Sequence, residues 1–221
     1  MTKVDVLIIG QGICGTFFSR ELERMRLSYQ VIDDHRPFTA SRTAAGVINP
    51  VTGRRLVKTW MIDELLPFVR QVYGQLGEGL LRPVTIVDFF PTAQMRLAFI
   101  KRKEEGGDYL GLPENERRWD GLFRYELGYG TIEPCYLVDM PRLLTSERTR
   151  LAAAGLLRED VFDPADLHVR ADSVWYRDIA ARWIVFCDGA AASDQGYFSR
   201  LPFAPNKGEA LVIEAPDLEA N

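Results

Sequence analysis

An apolar strand that runs into closely spaced glycines constrains the fold of this chain more than any other feature. The strand covers residues 4–9, and the glycines that follow have the spacing Gly-x-Gly-x-x-Gly: Gly10, Gly12 and Gly15. A helical stretch over 13–25 leads to a second apolar segment that ends in Asp33. Strand, glycine loop, helix, strand and acid in this order predict a βαβ unit that binds a dinucleotide.

Each residue of the glycine loop has a physical role in such a site. Gly10 permits the tight turn out of the strand, and Gly12 has no Cβ to keep a pyrophosphate away from the backbone. Gly15 lets the helix pack closely on the sheet. The unpaired N–H groups where the helix begins, at Ile13 and Cys14, attract phosphate through their partial positive charge.

The acid at the end of the second strand is predicted to bind a ribose. Asp33 can accept hydrogen bonds from the ribose diol, and Asp34 is placed in the same site. Two alternatives remain open at this point. In the first, the glycines of the unit are required for packing alone; in the second, the acid belongs to an NAD-dependent enzyme.

Composition excludes several other classes of function. The net charge is −4 with a pI near 5.4, which argues against a nucleic-acid surface. The three cysteines are far apart and lack metal or Cys-x-x-Cys spacing, so we expect reduced thiols in a cytoplasmic protein. Two histidines are too few for a histidine-rich metal site, and no apolar run approaches membrane-spanning length. The sequence leaves the oligomeric state open.

The order of the predicted elements indicates two domains that are interleaved in sequence. Helices are predicted at 13–25, 60–76, 93–103 and 139–154, with a kink or a division into two helices at Pro67. Strands are predicted at 4–9, 29–33, 84–89, 156–162, 173–176, 183–187 and 210–214. One or two further strands are predicted over 123–133, broken at Gly128 and Gly130. A dinucleotide-binding domain is therefore expected from 1–81 with 137–200, and a second domain from 82–136 with 201–221.

A second motif follows the fingerprint and reads Ser-Arg-Thr-Ala-Ala-Gly-Val-Ile over 41–48. Together the two motifs resemble the D-amino-acid oxidase and glycine oxidase superfamily of FAD-dependent oxidoreductases, which has Ser-x-x-x-Ala-Gly followed by an apolar residue here. In that family the segment wraps the pyrophosphate and the flavin. The resemblance implies that FAD contacts five of its residues: Ser41, Arg42, Ala45, Gly46 and Val47.

Two later segments extend the resemblance over nearly the whole chain. Residues 130–144 resemble the return from the substrate domain to the cofactor domain, after which Val161 would contact adenine through its backbone. Residues 183–190 resemble a strand and loop that close over the cofactor, at Asp188 and Gly189. The sequence departs from the family at Asp33, where glutamate is more frequent, and at Cys187-Asp188, where two small residues are usual.

The resemblance implies an α/β fold in which a Rossmann-like FAD-binding domain is interleaved with an α+β substrate domain that has a mixed or antiparallel sheet. Family members generally continue beyond this length, so we expect the substrate domain to be incomplete. We also expect residues 1–221 alone to bind FAD weakly or not at all and to lack oxidase activity.

The expected function is that of a FAD-dependent oxidoreductase that oxidises an amine or amino acid by hydride transfer to the flavin. The alternatives are a truncated or non-catalytic dinucleotide-binding protein and an NAD-dependent enzyme. No catalytic residue is predicted. Asn49, Arg54 and Arg55 follow the flavin motif and can be assigned either to an anionic substrate or to surface and packing roles.

Overall fold

The computed structural model describes residues 1–53, 55–194, 196–206, 208–211 and 213. The α-helices are α1 (Ile13–Arg24), α2 (Ala40–Thr43), α3 (Ile62–Leu76), α4 (Ala93–Glu104) and α5 (Met140–Ala153). The first six strands are β1 (Thr2–Ile9), β2 (Tyr29–Asp33), β3 (Val47–Ile48), β4 (Val51–Thr52), β5 (Val57–Lys58) and β6 (Leu81–Phe89). The other six are β7 (Leu110–Gly111), β8 (Tyr129–Val138), β9 (Leu157–Glu159), β10 (Leu167–Val169), β11 (Val174–Tyr176) and β12 (Ile179–Phe186). Short 3₁₀ helices lie at Pro164–Asp166 and Gly189–Asp194.

One compact unit combines the described residues of Met1–Ala44 and Met140–Glu209. Its sheet has the strand order β10-β11-β12-β1-β2-β9, in which β12, β1, β2 and β9 run parallel. Strand β1 is central and its last four residues, 6–9, are buried, as expected of an apolar strand covered on both faces. The predicted βαβ unit is therefore confirmed, and β10 and β11 add an antiparallel edge.

Helix α5 packs into the same unit through the leucines that the sequence placed on one face. Leu143, Leu144 and Leu151 are fully buried, and Leu151 belongs to the cluster formed by β1, β2 and α1. The same helix also buries a carboxylate, because Glu147 accepts hydrogen bonds from Arg20 and from Arg150. These two guanidinium groups compensate a charge that would otherwise be costly to bury.

The second compact unit contains Ala45–Asp139 and the described residues from Ala210 onward. Its main sheet is antiparallel, with the order β3-β8-β6 and with β7 paired to β8, while β4 and β5 form a separate pair. Helix α4 inserts Phe99 into the core beside Gly130, where an added Cβ would lie 2.2 Å from the phenyl ring. The mixed α/β class and the antiparallel second sheet agree with the predicted fold class.

The division into units differs from the predicted domain boundaries. Residues 45–81 group with the antiparallel sheet, although the sequence placed them with the cofactor domain, because β3 pairs with β8. The described part of 201–209 groups with the parallel sheet instead of with the second domain. The assignment of one unit to the cofactor and the other to the substrate stays a prediction.

Several predicted elements also differ from the structure. Of the two alternatives at Pro67, the structure has a single helix, α3, because a proline removes one hydrogen bond while the buried residues of the helix keep their packing. The predicted break at Gly128 is observed, with a φ of +77° that turns the chain, but no strand precedes it over 123–128, and β8 runs through the second predicted break at Gly130. In the strand predicted at 210–214, the described residues 210, 211 and 213 have no strand structure, and Val212 and Glu214 lie outside the described residues.

Candidate cofactor-binding site

A cleft of about 380 Å³ lies at the carboxyl ends of the parallel strands β1, β2, β9 and β12. Because these ends meet at one edge of the sheet, residues that are distant in sequence line it together. The lining residues are Ile9, Gly10, Gln11, Gly12, Ile32, Asp33, Asp34, Arg36, Phe38, Thr39, Ala40, Ser41, Arg42, Asp160, Val161, Phe162, Cys187, Asp188, Gly189, Ala190 and Ala191. Its volume and position are those of a small-molecule site in an open α/β sheet.

Two of the three fingerprint glycines are required by packing. Gly10 has φ +101°, and a Cβ there would lie 2.5 Å from the carbonyl oxygen of Cys187. A Cβ on Gly15 would lie 2.0 Å from the carbonyl oxygen of Gly10. The turn out of β1 is thus held between α1 and the end of β12 at distances that exclude any side chain.

Gly12 lies in a different environment, at the N-cap of α1. Its φ is −75°, which any residue can adopt, and a Cβ there would approach a side chain, 3.0 Å from the hydroxyl oxygen of Ser41. That hydroxyl accepts a hydrogen bond from the N–H of Ile13 at 3.0 Å. The first-turn N–H groups of a helix have no partner within the helix, so Ser41 satisfies one of them. Ile13, Cys14 and Gly15 lie in this turn rather than among the described residues that line the cleft.

The Asp33 carboxylate is held by three donors at the rim of the cleft. Oδ2 accepts from the N–H of Gln11 at 2.8 Å, and Oδ1 accepts from the N–H of His35 at 3.0 Å. Oδ1 also accepts from Nη1 of Arg148 at 2.6 Å. The adjacent Asp34 accepts a hydrogen bond from Nε of Arg36 at 2.5 Å. Both carboxylates therefore face the cleft already paired with a guanidinium group.

The far end of the cleft is formed by the segments after β9 and β12. Val161 lines it, and its carbonyl oxygen accepts a hydrogen bond from the Tyr176 hydroxyl at 3.3 Å. Gly189 has φ +60° and begins a 3₁₀ helix directly after Asp188. Burial raises the pKa of the Cys187 thiol to about 11, so the thiol remains protonated at neutral pH.

The residues predicted from the Ser-x-x-x-Ala-Gly motif are divided between the two units. Ser41 and Arg42 line the cleft on helix α2, which Thr39 caps by accepting a hydrogen bond from the N–H of Arg42. In the second unit, Gly46 has φ +73° and its carbonyl oxygen accepts from the N–H of Val138 at 2.9 Å. Ala45 precedes it there, and Val47 pairs with Leu137.

The weakest substrate candidates gain no support. The side-chain oxygen of Asn49 accepts a hydrogen bond from the N–H of Val51 at 2.9 Å, which is a turn interaction. Arg55 is exposed, and Arg54 lies outside the described residues. Sequence reasoning also missed lining residues that carry no motif, such as Phe38 and Phe162.

Neither a metal-binding cluster nor a membrane-spanning helix occurs in the described part of the chain. No group of three or more histidine, cysteine, aspartate or glutamate side chains there is arranged to hold a metal ion. No helix among these residues combines the length and the apolar character needed to cross a membrane.

Comparison with known structures gives relatives with the same fold. Glycine oxidase from Geobacillus kaustophilus matches with a TM-score of 0.62 at 20% identity, over 87% of this chain and 57% of that chain. Iminodiacetate oxidase from Chelativorans sp. BNC1 matches with a TM-score of 0.58 at 23% identity, over 86% and 56%. L-amino acid deaminase from Proteus vulgaris matches with a TM-score of 0.60 at 15% identity, over 86% and 48%. The chain therefore spans about half the length of these proteins.

A family comparison covers nearly the whole sequence. The family described as FAD dependent oxidoreductase (DAO) matches residues 5–221, from β1 through the glycine loop and both compact units. The cleft, the fingerprint and this match agree, and the chain belongs to the DAO family of FAD-dependent oxidoreductases.

Proposed function

We propose that this chain binds FAD in the cleft of its first unit and forms the cofactor-binding part of an oxidoreductase that oxidises an amine or amino acid. The observation that carries the proposal is the convergence of the glycine loop, Asp33 and Ser41 on one cleft at the carboxyl edge of the parallel sheet. The three similar structures reported above support a nitrogen-containing substrate, since their names give glycine, iminodiacetate and L-amino acids.

The residues of the cleft fit a dinucleotide in three respects. Gly12 lines the cleft at the N-cap of α1, and its lack of a side chain allows a phosphate to approach its backbone closely. The orphan N–H groups of α1 provide donors and partial positive charge for the pyrophosphate. Asp33 and Val161 both line the cleft, which supports a contact of the Asp33 carboxylate with the ribose and of the Val161 backbone with the adenine.

The charges of the cleft are also compatible with an anionic cofactor. Two aspartates at the rim would repel a pyrophosphate if they were unpaired. Arg148 and Arg36 neutralise Asp33 and Asp34, respectively, through hydrogen-bonded ion pairs. Asp160, which also lines the cleft, is paired with Arg177, and the N-terminus of α1 adds partial positive charge at the glycine loop.

In such an enzyme the cofactor and the protein have different roles. FAD, when bound, supplies the redox chemistry by accepting a hydride from the carbon that carries the nitrogen. The residues of this chain bind and orient the cofactor: Gly12 and Ser41 at the phosphates, Asp33 at the ribose and Val161 at the base.

The three free cysteines support a cytoplasmic location for the protein.

A binding experiment tests the cofactor assignment. FAD fluorescence is titrated with the purified chain, and NAD⁺ is added as a competitor. For residues 1–221 we expect saturable but weak binding of FAD, loss of that binding in Gly12→Val, and unchanged binding in the control Gly74→Ala, where an added Cβ meets no atom within 4 Å. Saturable NAD⁺ binding without FAD binding would instead support the nicotinamide alternative, and FAD binding by Gly12→Val equal to that of the parent would refute the placement of the pyrophosphate.

A second experiment tests the substrate class. FAD-loaded protein made from the full gene is used, because residues 1–221 alone are expected to lack oxidase activity. It is mixed anaerobically with a panel of amines, amino acids, hydroxy acids and alcohols, and the flavin absorbance is followed. Bleaching by compounds that carry nitrogen on the oxidised carbon supports the proposal. Bleaching by hydroxy acids or alcohols alone would contradict it.

A further inference from the structure

We propose that Arg148 is a positioning residue that fixes the Asp33 carboxylate for the ribose hydroxyls of the cofactor. This inference deepens the proposed function and rests on it. Arg148 lies on α5, outside both sequence motifs, and it is far from Asp33 in sequence. Its effect on the cofactor would be indirect, because it contacts the acid and does not line the cleft among the described residues.

The guanidinium of Arg148 connects two strand ends at the rim of the cleft. Its Nη1 donates to Oδ1 of Asp33 at 2.6 Å, and its Nη2 donates to Oε2 of Glu159 at 2.7 Å. The Arg148 side chain is only 10% exposed, against 65% for Glu159. A guanidinium that uses both arms in a nearly buried position has little freedom to move, so it restricts the carboxylate that it holds.

The register of the sheet explains why a cation is needed at this position. Asp33 and Glu159 are direct partners on the parallel strands β2 and β9, so two carboxylates lie opposite each other at the strand ends. Like charges in such a pair destabilise a sheet. The hydrogen bond from Arg148, followed by its charge, holds the pKa of Glu159 below its ordinary value. Arg148 therefore places a hydrogen-bonded cation between the two facing carboxylates.

The hydrogen bonds of Asp33 define what remains for a ligand. An ionised carboxylate has about four lone-pair positions. Arg148 and the N–H of His35 occupy Oδ1, and the N–H of Gln11 occupies one position on Oδ2. The remaining acceptor is on Oδ2. Without Arg148 the Asp33 carboxylate would be freer to rotate. With Arg148 bound, a ribose hydroxyl is directed to one defined oxygen, Oδ2.

A ligand-series experiment separates positioning from a purely structural role. The dissociation constants of ADP and of 2′,3′-dideoxy-ADP are measured by calorimetry for the parent chain and for Arg148→Met. We expect the variant to bind ADP about tenfold more weakly, the scale of one charge-assisted hydrogen bond, and to bind the dideoxy compound as the parent does. An equal loss for both ligands would overturn the proposal, since a distorted cleft does not depend on the ribose hydroxyls.

Three further variants exclude simple charge effects. In Arg148→Met/Glu159→Gln the repulsion between the acids is removed, and we expect ADP binding to stay weak. Recovery of parent affinity there would show that Arg148 acts only by neutralising the pair. Arg148→Lys keeps the charge without the planar fork, so we expect an intermediate loss for ADP and none for the dideoxy compound. Arg158→Met removes another forked ion pair from β9, with Asp178, and should leave both affinities unchanged.

The design also separates this proposal from the one on which it rests. If the parent chain binds neither FAD nor ADP, both proposals are refuted. If the parent binds ADP and Arg148→Met shows no difference between the two ligands, the positioning role fails while the cofactor assignment stands. Should Arg148→Met not fold, as judged by circular dichroism, the Arg148→Lys comparison decides the question by the same criterion.

Discussion

The three fingerprint glycines are expected to respond differently to alanine, although sequence reasoning treats them as one motif. For Gly15→Ala the new Cβ starts 2.0 Å from the carbonyl oxygen of Gly10, so backbone must move by more than 1 Å. Overpacking of this kind costs about 1–3 kcal/mol. Gly10→Ala adds a strained positive φ, which costs about 1–3 kcal/mol more. Gly12→Ala displaces only the Ser41 hydroxyl, a loss of about 0.5–1.5 kcal/mol.

Urea unfolding of the apoprotein, followed by circular dichroism, measures these costs. We expect the order of destabilisation to be Gly10→Ala, then Gly15→Ala, then Gly12→Ala, while all three weaken FAD binding. In a Ser41→Ala background the Gly12→Ala penalty should vanish, because the displaced hydroxyl is gone, and the Gly15→Ala penalty should persist. The reasoning is refuted if Gly12→Ala destabilises the apoprotein as much as Gly15→Ala does, or if its penalty survives the loss of Ser41.

Three other predictions concern stability and reactivity. Gly74→Ala in α3 should raise the free energy of unfolding by up to about 1 kcal/mol in urea melts, since the added Cβ meets nothing and the unfolded chain loses freedom. Maleimide at pH 8 should label exposed Cys14 first, because burial raises the pKa values of Cys135 and Cys187 to about 11; equal labelling rates by mass spectrometry would contradict this. Burial raises the pKa of Glu147, but its arginine partners outweigh burial and lower it from 4.5. A carboxylate whose pKa is lower in the folded than in the unfolded state stabilises the fold at pH values above the unfolded-state pKa. The difference in the free energy of unfolding between the parent and Glu147→Gln should therefore become smaller as the pH falls below 4.5, as urea melts at several pH values would measure.

The parts of the fold that were predictable are those set by local pattern. The continuous apolar run of β1 and the fingerprint defined the βαβ unit, and β2 was predicted with its observed ends at Tyr29 and Asp33. The errors arose where a turn or a partner strand decides. A positive φ at Gly128 delays the start of β8, and the pairing of Val47 with Leu137 assigns residues 45–81 to the antiparallel unit. Neither effect is visible in the hydrophobic periodicity of the segment itself.

The candidate site shows the same limit more sharply. Asp33 was predictable because its role depends on its position after a strand, which the sequence records. The state of its carboxylate depends on Arg148, whose place on α5 suggests an ordinary polar residue beside buried leucines. Asp33 and Arg148 are connected through the parallel register of β2 with β9, which places Glu159 opposite Asp33. Two facing carboxylates repel each other, so a cation between them is stabilising. Where two acidic residues are predicted to face each other on neighbouring parallel strands, the helix that precedes the second strand is therefore the place to look for a buried arginine.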